Sequence, residues 1–510
     1  MFIPEFATSA HCDDEIYTAT GHCQGLMPAE EGKGRYKWTV LLIASIGSLI
    51  GPLDSTIVSV TLPTISHELG MDYTTSVWVP TAYLVTTAAL LLTMGRLSDI
   101  RGRKPIYIAG FGLFALGSLL CSLSQGGGQM IAFRALQGVG AAALMATAPA
   151  LITDSFPPKE RGKALGINAM SVYIGLSLGP PLGAFLTGEL GWRSIFWVNI
   201  PIAATVIVLA YWKIVEPPQA QSDTRFDLTG ASSFALSLVA FLLALTFGES
   251  WGWGSAFTLG LILIAAALFT FFVVTERRLG RRATFQLDLV TRNRLFASSN
   301  LSALLNYTSY FGVSFIISFY LQRVLDLDLY TTGLVLLSMP VVMSVLSPIS
   351  GWLSDRVGSR ALASGGMFII AAGLLLMSTL TENSSAMEVV AWFILMGVGM
   401  GLFASPNTSA IMGCVERDRL GVASGTLSTM RTVGQSMSLA IMGALIATAS
   451  STELVSALFI GAPLPPGTAN ADFVAGMALA FRVSALIAVA GGIASLARGT
   501  SARTERCEEH

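Results

Sequence analysis

Gly95-Arg96-Leu97-Ser98-Asp99 recurs, with four of five positions identical, as Gly351-Trp352-Leu353-Ser354-Asp355. Each copy ends a long apolar stretch and stands beside basic residues. A second pair, Gly162-Lys163-Ala164-Leu165-Gly166 and Gly421-Val422-Ala423-Ser424-Gly425, is offset by nearly the same number of residues. Two unrelated matches whose offsets agree to within three residues point to an internal repeat. These marks leave open what the apolar stretches between them form.

The composition answers it. Hydrophobic residues make up 53% of the 510 residues and charged residues only 12%, with a net charge of −1. Soluble domains carry about 25% charge, so a chain this poor in charge could not cover a water-facing surface. The balance also excludes disorder, collagen, coiled coil and a nucleic-acid partner. A helix needs roughly 20 apolar residues to cross the hydrocarbon. Fourteen such spans are expected, near 38–62, 76–95, 105–124, 128–152, 163–187, 193–212, 228–247, 256–275, 296–321, 331–352, 361–380, 388–412, 420–447 and 473–497. The predicted fold class is therefore an all-α polytopic membrane protein.

Lysines and arginines test the count, because cytoplasmic loops hold them in excess. With the N-terminus inside, only Arg193 and Arg323 fall in outer segments, and Arg134, Arg431 and Arg482 fall inside spans. All the remaining basic residues lie in inner segments, so both termini are expected in the cytoplasm. Both repeated motif pairs shift by eight spans with unchanged orientation. Six spans per half plus two inserted between them account for fourteen, and parallel halves around a midplane site form a transporter architecture. The expected domains are a cytoplasmic tail (1–37), a six-helix half (38–212), a linker with two inserted helices (213–295), a second six-helix half (296–497) and a cytoplasmic tail (498–510).

The first tail has no apolar signal-peptide core. Its His11, Cys12, Asp13, Asp14, Glu15, His22 and Cys23 fit no common zinc spacing, so no metal is expected and a solvated tail is the preferred reading. The five cysteines form no disulfide framework. No Gly-x-x-x-x-Gly-Lys-Ser/Thr phosphate loop occurs, which argues against ATP as energy source. No cofactor is expected.

Several motifs stand in one order along the chain. They are Leu53-Asp54-Ser55-Thr56, Gly95 to Lys104, Arg134-Ala135-Leu136-Gln137-Gly138, Gly175 to Ala184, Gly191-Trp192-Arg193, Asn199-Ile200-Pro201 and Tyr320-Leu321-Gln322. In this the chain resembles the major facilitator superfamily, and within it the fourteen-span drug:proton antiporter family. One departure is Ala184, where a second glycine is usual. The resemblance implies the major facilitator fold and no enzyme activity. It implies proton-coupled export of small amphipathic molecules by alternating access, with multidrug efflux as the type. Partners would be protons, a small-molecule substrate and the lipid bilayer of the cell membrane, with the monomer as working unit. Alternatives are a proton-linked exporter of one metabolite or natural product, and a non-transporting receptor of the same fold.

Asp54 is the one acid well inside these spans. A carboxylate there costs several kcal/mol unless paired or facing water, so a proton-coupling role is the default reading and a permanent structural ion pair the alternative. At 1.5 Å per residue, Asp54 lies about 12 Å and Arg134 about 9 Å below the outer face. Similar depth permits contact. The resemblance implies that the two share proton coupling; alternatively, Arg134 ties its helix to neighbouring carbonyls. It also implies that the loop holding Gly95, Asp99, Arg101, Gly102 and Arg103, with Asp355 and Arg356 of its repeat, latches the cytoplasmic gate. Asp99 would then meet span 13 near Gly421, and Asp355 would meet span 5 near Gly162. Gly175, Gly179, Pro180 and Gly183 give span 5 a bent, close-packing face. Asn300, Asn306, Tyr307 and Tyr310 fall near helical spacing on span 9 and, with Arg431, are candidates to line the substrate cavity. Hydration or carbonyl contacts could equally satisfy Arg431 and Arg482.

Overall fold

The computed structural model describes residues 30–71, 73–216, 226–279, 288–449 and 470–498. The His/Cys-containing tail and residues 499–510 lie outside them. With no water to bond exposed amides, a chain in lipid must satisfy its backbone internally. Helices accordingly dominate, and no strand occurs among the described residues. They run as α1 (Glu30–Glu68), α2 (Tyr73–Arg101), α3 (Arg103–Ser122), α4 (Gly127–Ser155) and α5 (Arg161–Leu190). After these come a short α6 (Ser194–Trp197), α7 (Asn199–Lys213), and the inserted α8 (Leu228–Trp251) and α9 (Ala256–Leu279). A single turn, α10 (Asp288–Thr291), leads into α11 (Arg294–Phe319), α12 (Leu329–Val357), α13 (Ser359–Met377), α14 (Ala386–Gly413), α15 (Leu420–Ala449) and α16 (Asn470–Leu496).

Thirteen helices among the described residues are long and apolar enough to cross a membrane. The sequence-predicted span at 420–447 is not among them, although α15 has 30 residues. The helix carries Ser424, Thr426, Ser428, Thr429, Arg431, Thr432, Gln435, Ser436 and Ser438. It can be this polar because it packs among α2, α4, α11 and α16 rather than facing lipid all round.

The repeat seen in the sequence recurs in the packing. Helix α1 packs on α5, α2 on α4, α3 on α4 and α3 on α7. Eight spans later the same pairings return as α11 on α15, α12 on α14, α13 on α14 and α13 on α16. The two sets meet along two seams, α2 against α15 and α5 against α12, which exchange under the repeat. The inserted α8 lies along the first seam. There Leu238 and Leu242 cluster with Val85 and Ala88 of α2 and with Val433 of α15.

Three sequence-based readings change. Arg482, counted with the interior arginines, is exposed on α16; at helical spacing it shares a stripe with the exposed Leu479, Leu486 and Ile493. A period of 3.6 fixes which residues share a face but not which way that face turns. Glu276 is a second acid buried within a spanning helix, at 1% exposure near the C-terminal end of α9. Arg498, read as the first residue of the cytoplasmic tail 498–510, is buried and donates to the Asn407 side chain. Burial pushes its guanidinium down to about 10.

Candidate functional site

Asp54 sits mid-way along α1, where α5 approaches without side chains between. A Cβ at Gly175 would lie 2.6 Å from the Leu49 carbonyl oxygen, one at Gly179 would strike Thr56, and one at Gly183 would come within 3.2 Å of Ile57. The glycines of the span-5 motif thus set α5 against the stretch of α1 that carries the acid. Pro180 lies in the same run, inside the helix.

The carboxylate is enclosed from the other side. Arg134 Nη1 donates to Asp54 Oδ2 at 2.6 Å and to Gln137 Oε1 at 2.5 Å. Gln137 Nε2 donates to Asp54 Oδ1 at 2.9 Å and to Ser118 Oγ at 2.8 Å. Asn199 Nδ2 donates to the same Asp54 Oδ1 at 2.8 Å and reaches Ser118 Oγ at 3.2 Å. The Arg134 guanidinium lies 4.3 Å from the centroid of the Tyr83 ring. All six residues are buried. Charged hydrogen bonds in a low-dielectric interior are strong, and breaking one partner of a buried pair is costly. The network therefore couples helices α1, α2, α3, α4 and α7 at one point. Ser118 reaches Gln137 because Gly117 lets α3 close on α4; a Cβ there would sit 2.7 Å from the Gln137 Cα.

The sequence reading placed Asp54 with Arg134 but passed over Gln137, Asn199, Ser118 and Tyr83 as site residues. The available signal was weak. Gln137 and Asn199 stand inside the quoted motifs, and Gln137 follows Arg134 at i+3, on the same helix face.

At the C-terminal ends of α2 and α12 the two repeated motifs make the same contact twice. Asp99 accepts the backbone N–H of Gly421 at 2.8 Å and of Val422 at 2.9 Å. Asp355 accepts those of Gly162 at 2.8 Å and Lys163 at 3.0 Å. Each carboxylate thus caps the first turn of a helix from the other set, where unpaired N–H groups and the helix dipole favour an anion. Gly95 packs on the Gly421 carbonyl and Gly351 on that of Gly162, too close for any Cβ. Ser405 Oγ also donates to the Gly162 carbonyl at 3.0 Å. Gly102 and its repeat counterpart Gly358 turn the chain at φ +99° and +85°, a region glycine enters without steric cost.

The surrounding charges are less symmetric. Arg103 pairs with Asp154 at 2.8 Å, approaches Asp99 at 3.8 Å and donates to the Arg417 carbonyl. Arg417 returns to Asp154 at 3.0 Å. The Glu216 carboxylate caps α3 through the N–H groups of Arg103 and Lys104, both at 2.8 Å. Arg101 is exposed, and the exposed Arg356 lies over the Trp352 ring at 4.0 Å.

The remaining candidates divide. Tyr307 and Tyr310 stack obliquely with centroids 5.5 Å apart and belong to one cluster with Tyr173 of α5. Arg431 joins them, with its guanidinium 5.7 Å from the Tyr307 centroid and Nη2 donating to Thr408 Oγ1 at 2.7 Å. Asn300 bonds the Phe296 carbonyl of its own helix at 2.9 Å, and Asn306 contacts the Met367 sulfur of α13 at 3.0 Å. The two asparagines do not join the tyrosine group.

Known proteins can be set beside this geometry. The family model for the Major Facilitator Superfamily matches residues 44–236, 228–439 and 299–494. The riboflavin transporter RibZ of Clostridioides difficile (strain 630) is 31% identical over 414 residues, covering 81% of this chain and 89% of that protein. The multidrug resistance protein Stp of Mycobacterium tuberculosis is 31% identical over 433 residues, covering 84% of this chain and 80% of its own length. Among solved structures, the human organic anion transporter MFSD10 superposes with a TM-score of 0.63 at 15% identity, over 90% of this chain and 99% of its own.

Proposed function

The chain belongs to the Major Facilitator Superfamily and is a multi-pass membrane transporter of small molecules, and from this premise we propose that it exports small amphipathic compounds in exchange for external protons. In this reading the protein works as a monomer in the cell membrane. Its fourteen spans divide as 6+2+6 and both termini are cytoplasmic. The observation that carries the reading is the buried pair of Asp54 and Arg134 with two neutral donors on the same carboxylate.

A proton reaching Asp54 from outside neutralises the carboxylate and removes the partner of Arg134. The guanidinium keeps only Gln137, and a buried cation without its counter-charge is costly. The helices joined at that point then favour a different packing. Movement of α1 against α5, allowed by Gly175, Gly179 and Gly183, passes the change to the seam with α12. The cytoplasmic latches at Asp99 and Asp355 open, the proton leaves inward, and substrate enters from the cytoplasm. Re-forming the Asp54–Arg134 pair closes the latches and turns the loaded cavity outward.

The test is efflux from reconstituted vesicles across a chemically diverse panel, with and without an imposed pH gradient. Gradient-dependent transport of several unrelated amphipathic compounds supports the reading. Transport that ignores the gradient overturns proton exchange. A response to one compound alone favours the second reading, a dedicated metabolite exporter, which the relative named as a riboflavin transporter keeps in view.

A further inference from the structure

Asp54 is already charge-paired with Arg134 in this arrangement and accepts from Gln137 and Asn199 as well, which makes it a poor partner for a cationic substrate. The other buried acids among the described residues lie at C-terminal helix ends: Asp99 holds Gly421 and Val422, and Glu276 ends α9. The interior basic groups are not balanced in the same way. Arg431 stands near the middle of α15, eleven residues or about 16 Å from its cytoplasmic start. It forms no ion pair among the described residues. Among the described residues its one hydrogen bond goes to the neutral Thr408 hydroxyl, and its buried Nε has no acceptor. Beside it stands the aromatic cluster of Tyr307, Tyr310 and Tyr173.

We propose that Arg431 and these tyrosines bind an aromatic carboxylate, so that the preferred substrates are planar monoanions rather than cations. The proposal rests on the export function above and specifies its substrate class. A half-paired guanidinium in a partly desolvated setting is completed best by an anion. Its planar fork of N–H donors matches a carboxylate with two parallel hydrogen bonds. Tyrosine rings supply flat, apolar walls against which an aromatic body stacks. Tyr173 lies on α5, Tyr307 and Tyr310 on α11, and Arg431 on α15. A ligand gripping all three helices touches both sets joined at the seams, which ties its presence to their relative position.

The experiment compares coumarin-3-carboxylate with coumarin-3-carboxamide, a pair alike in shape and differing in charge. Binding to the purified protein and pH-gradient-driven transport in vesicles are both measured. Wild type should prefer the carboxylate by about tenfold or more, the scale of a charged hydrogen bond. Arg431→Gln should reduce the carboxylate to the level of the amide and weaken the amide far less. Arg431→Lys keeps the charge but loses the fork, and should fall between. Equal binding of the two probes by wild type, or an equal loss of both in Arg431→Gln with Arg431→Lys unaffected, overturns the proposal. Carboxylate preference that persists without any dependence on the pH gradient instead overturns proton exchange and leaves the anion site standing.

Discussion

Arg134 Nη1 and Asp54 Oδ2 lie 2.6 Å apart with both side chains 1% exposed, joining α4 to α1 in the interior of the first helix set. Two amide donors, from Gln137 and Asn199, complete the carboxylate. An acid so fully enclosed can exchange a proton only when this packing changes, which is the condition coupling requires.

Asp54→Asn should therefore abolish transport driven by a pH gradient while expression and membrane insertion stay normal. Asparagine keeps the shape but carries neither charge nor exchangeable acid. Vesicle assays with a defined gradient check this, and undiminished gradient-driven transport would remove Asp54 from the coupling step.

Asn199→Ala and Gln137→Ala each leave a buried carboxylate one donor short, a loss of about 1–3 kcal/mol. Both variants should melt at lower temperature and exchange protons for substrate less tightly. Thr205→Ala, a hydroxyl on the exposed side of α7 bonded only to the Pro201 carbonyl, serves as the comparison and should be silent. Parity of the three in thermal melts and in transported substrate per proton would show that the amides merely fill space.

Asp99→Asn and Asp355→Asn remove the anions that hold two helix N-termini across the seams. Each should shift the population toward a cytoplasm-open form by about tenfold, the effect of about 1.4 kcal/mol. A cysteine placed at Ser405, which bonds Gly162 across the α5–α14 contact, reports the change. Its labelling from the cytoplasmic side, in a background without the native cysteines, should accelerate in both variants. Unchanged labelling in both would refute the latch.

Gly95→Ala tests the same latch through shape alone. Its Cβ would meet the Gly421 carbonyl oxygen, whereas a Cβ at Gly112 meets nothing within 4 Å. Overpacking of backbone against backbone costs about 1–3 kcal/mol. Gly95→Ala should accordingly open the cytoplasmic side at least as far as Asp99→Asn, and Gly112→Ala should behave as wild type.

Dications should be poor substrates. Asp54 is already charge-paired with Arg134, and Arg431, which has no ion pair among the described residues, would repel a second positive charge. Matched mono- and dicationic dyes, followed in cells lacking other pumps, decide the matter. Equal or better efflux of the dication would reveal an acid in the transport path that the described residues do not include.

The class of this protein was legible because lipid imposes one rule on every residue of a span. Long apolar helices and the placement of basic residues follow from that rule, and the twice-written Gly-x-Leu-Ser-Asp marks the internal repeat independently of it. The latch partners came from the family resemblance, which set Asp99 near Gly421 and Asp355 near Gly162, where the packing has them. The polar α15 shows the limit of hydropathy: its Ser, Thr and Arg431 are tolerated because four neighbouring helices surround it.

What the sequence by itself determined is which residues share a helix face and which ones the bilayer would penalise; Asp54 and Arg134 stood out for that reason. Tertiary structure alone decided where each face points. It brought Gln137 and Asn199 from two helices onto one carboxylate, with the Ser118 hydroxyl of a third accepting from both, and it turned Arg482 outward beside Leu479 and Leu486. A neutral amide inside a span reads the same whether it completes a buried charge or bonds its own helix, as Asn199 and Asn300 do respectively. Helical periodicity repeats every 3.6 residues whatever lies opposite, so only the packing of one helix on another could tell them apart.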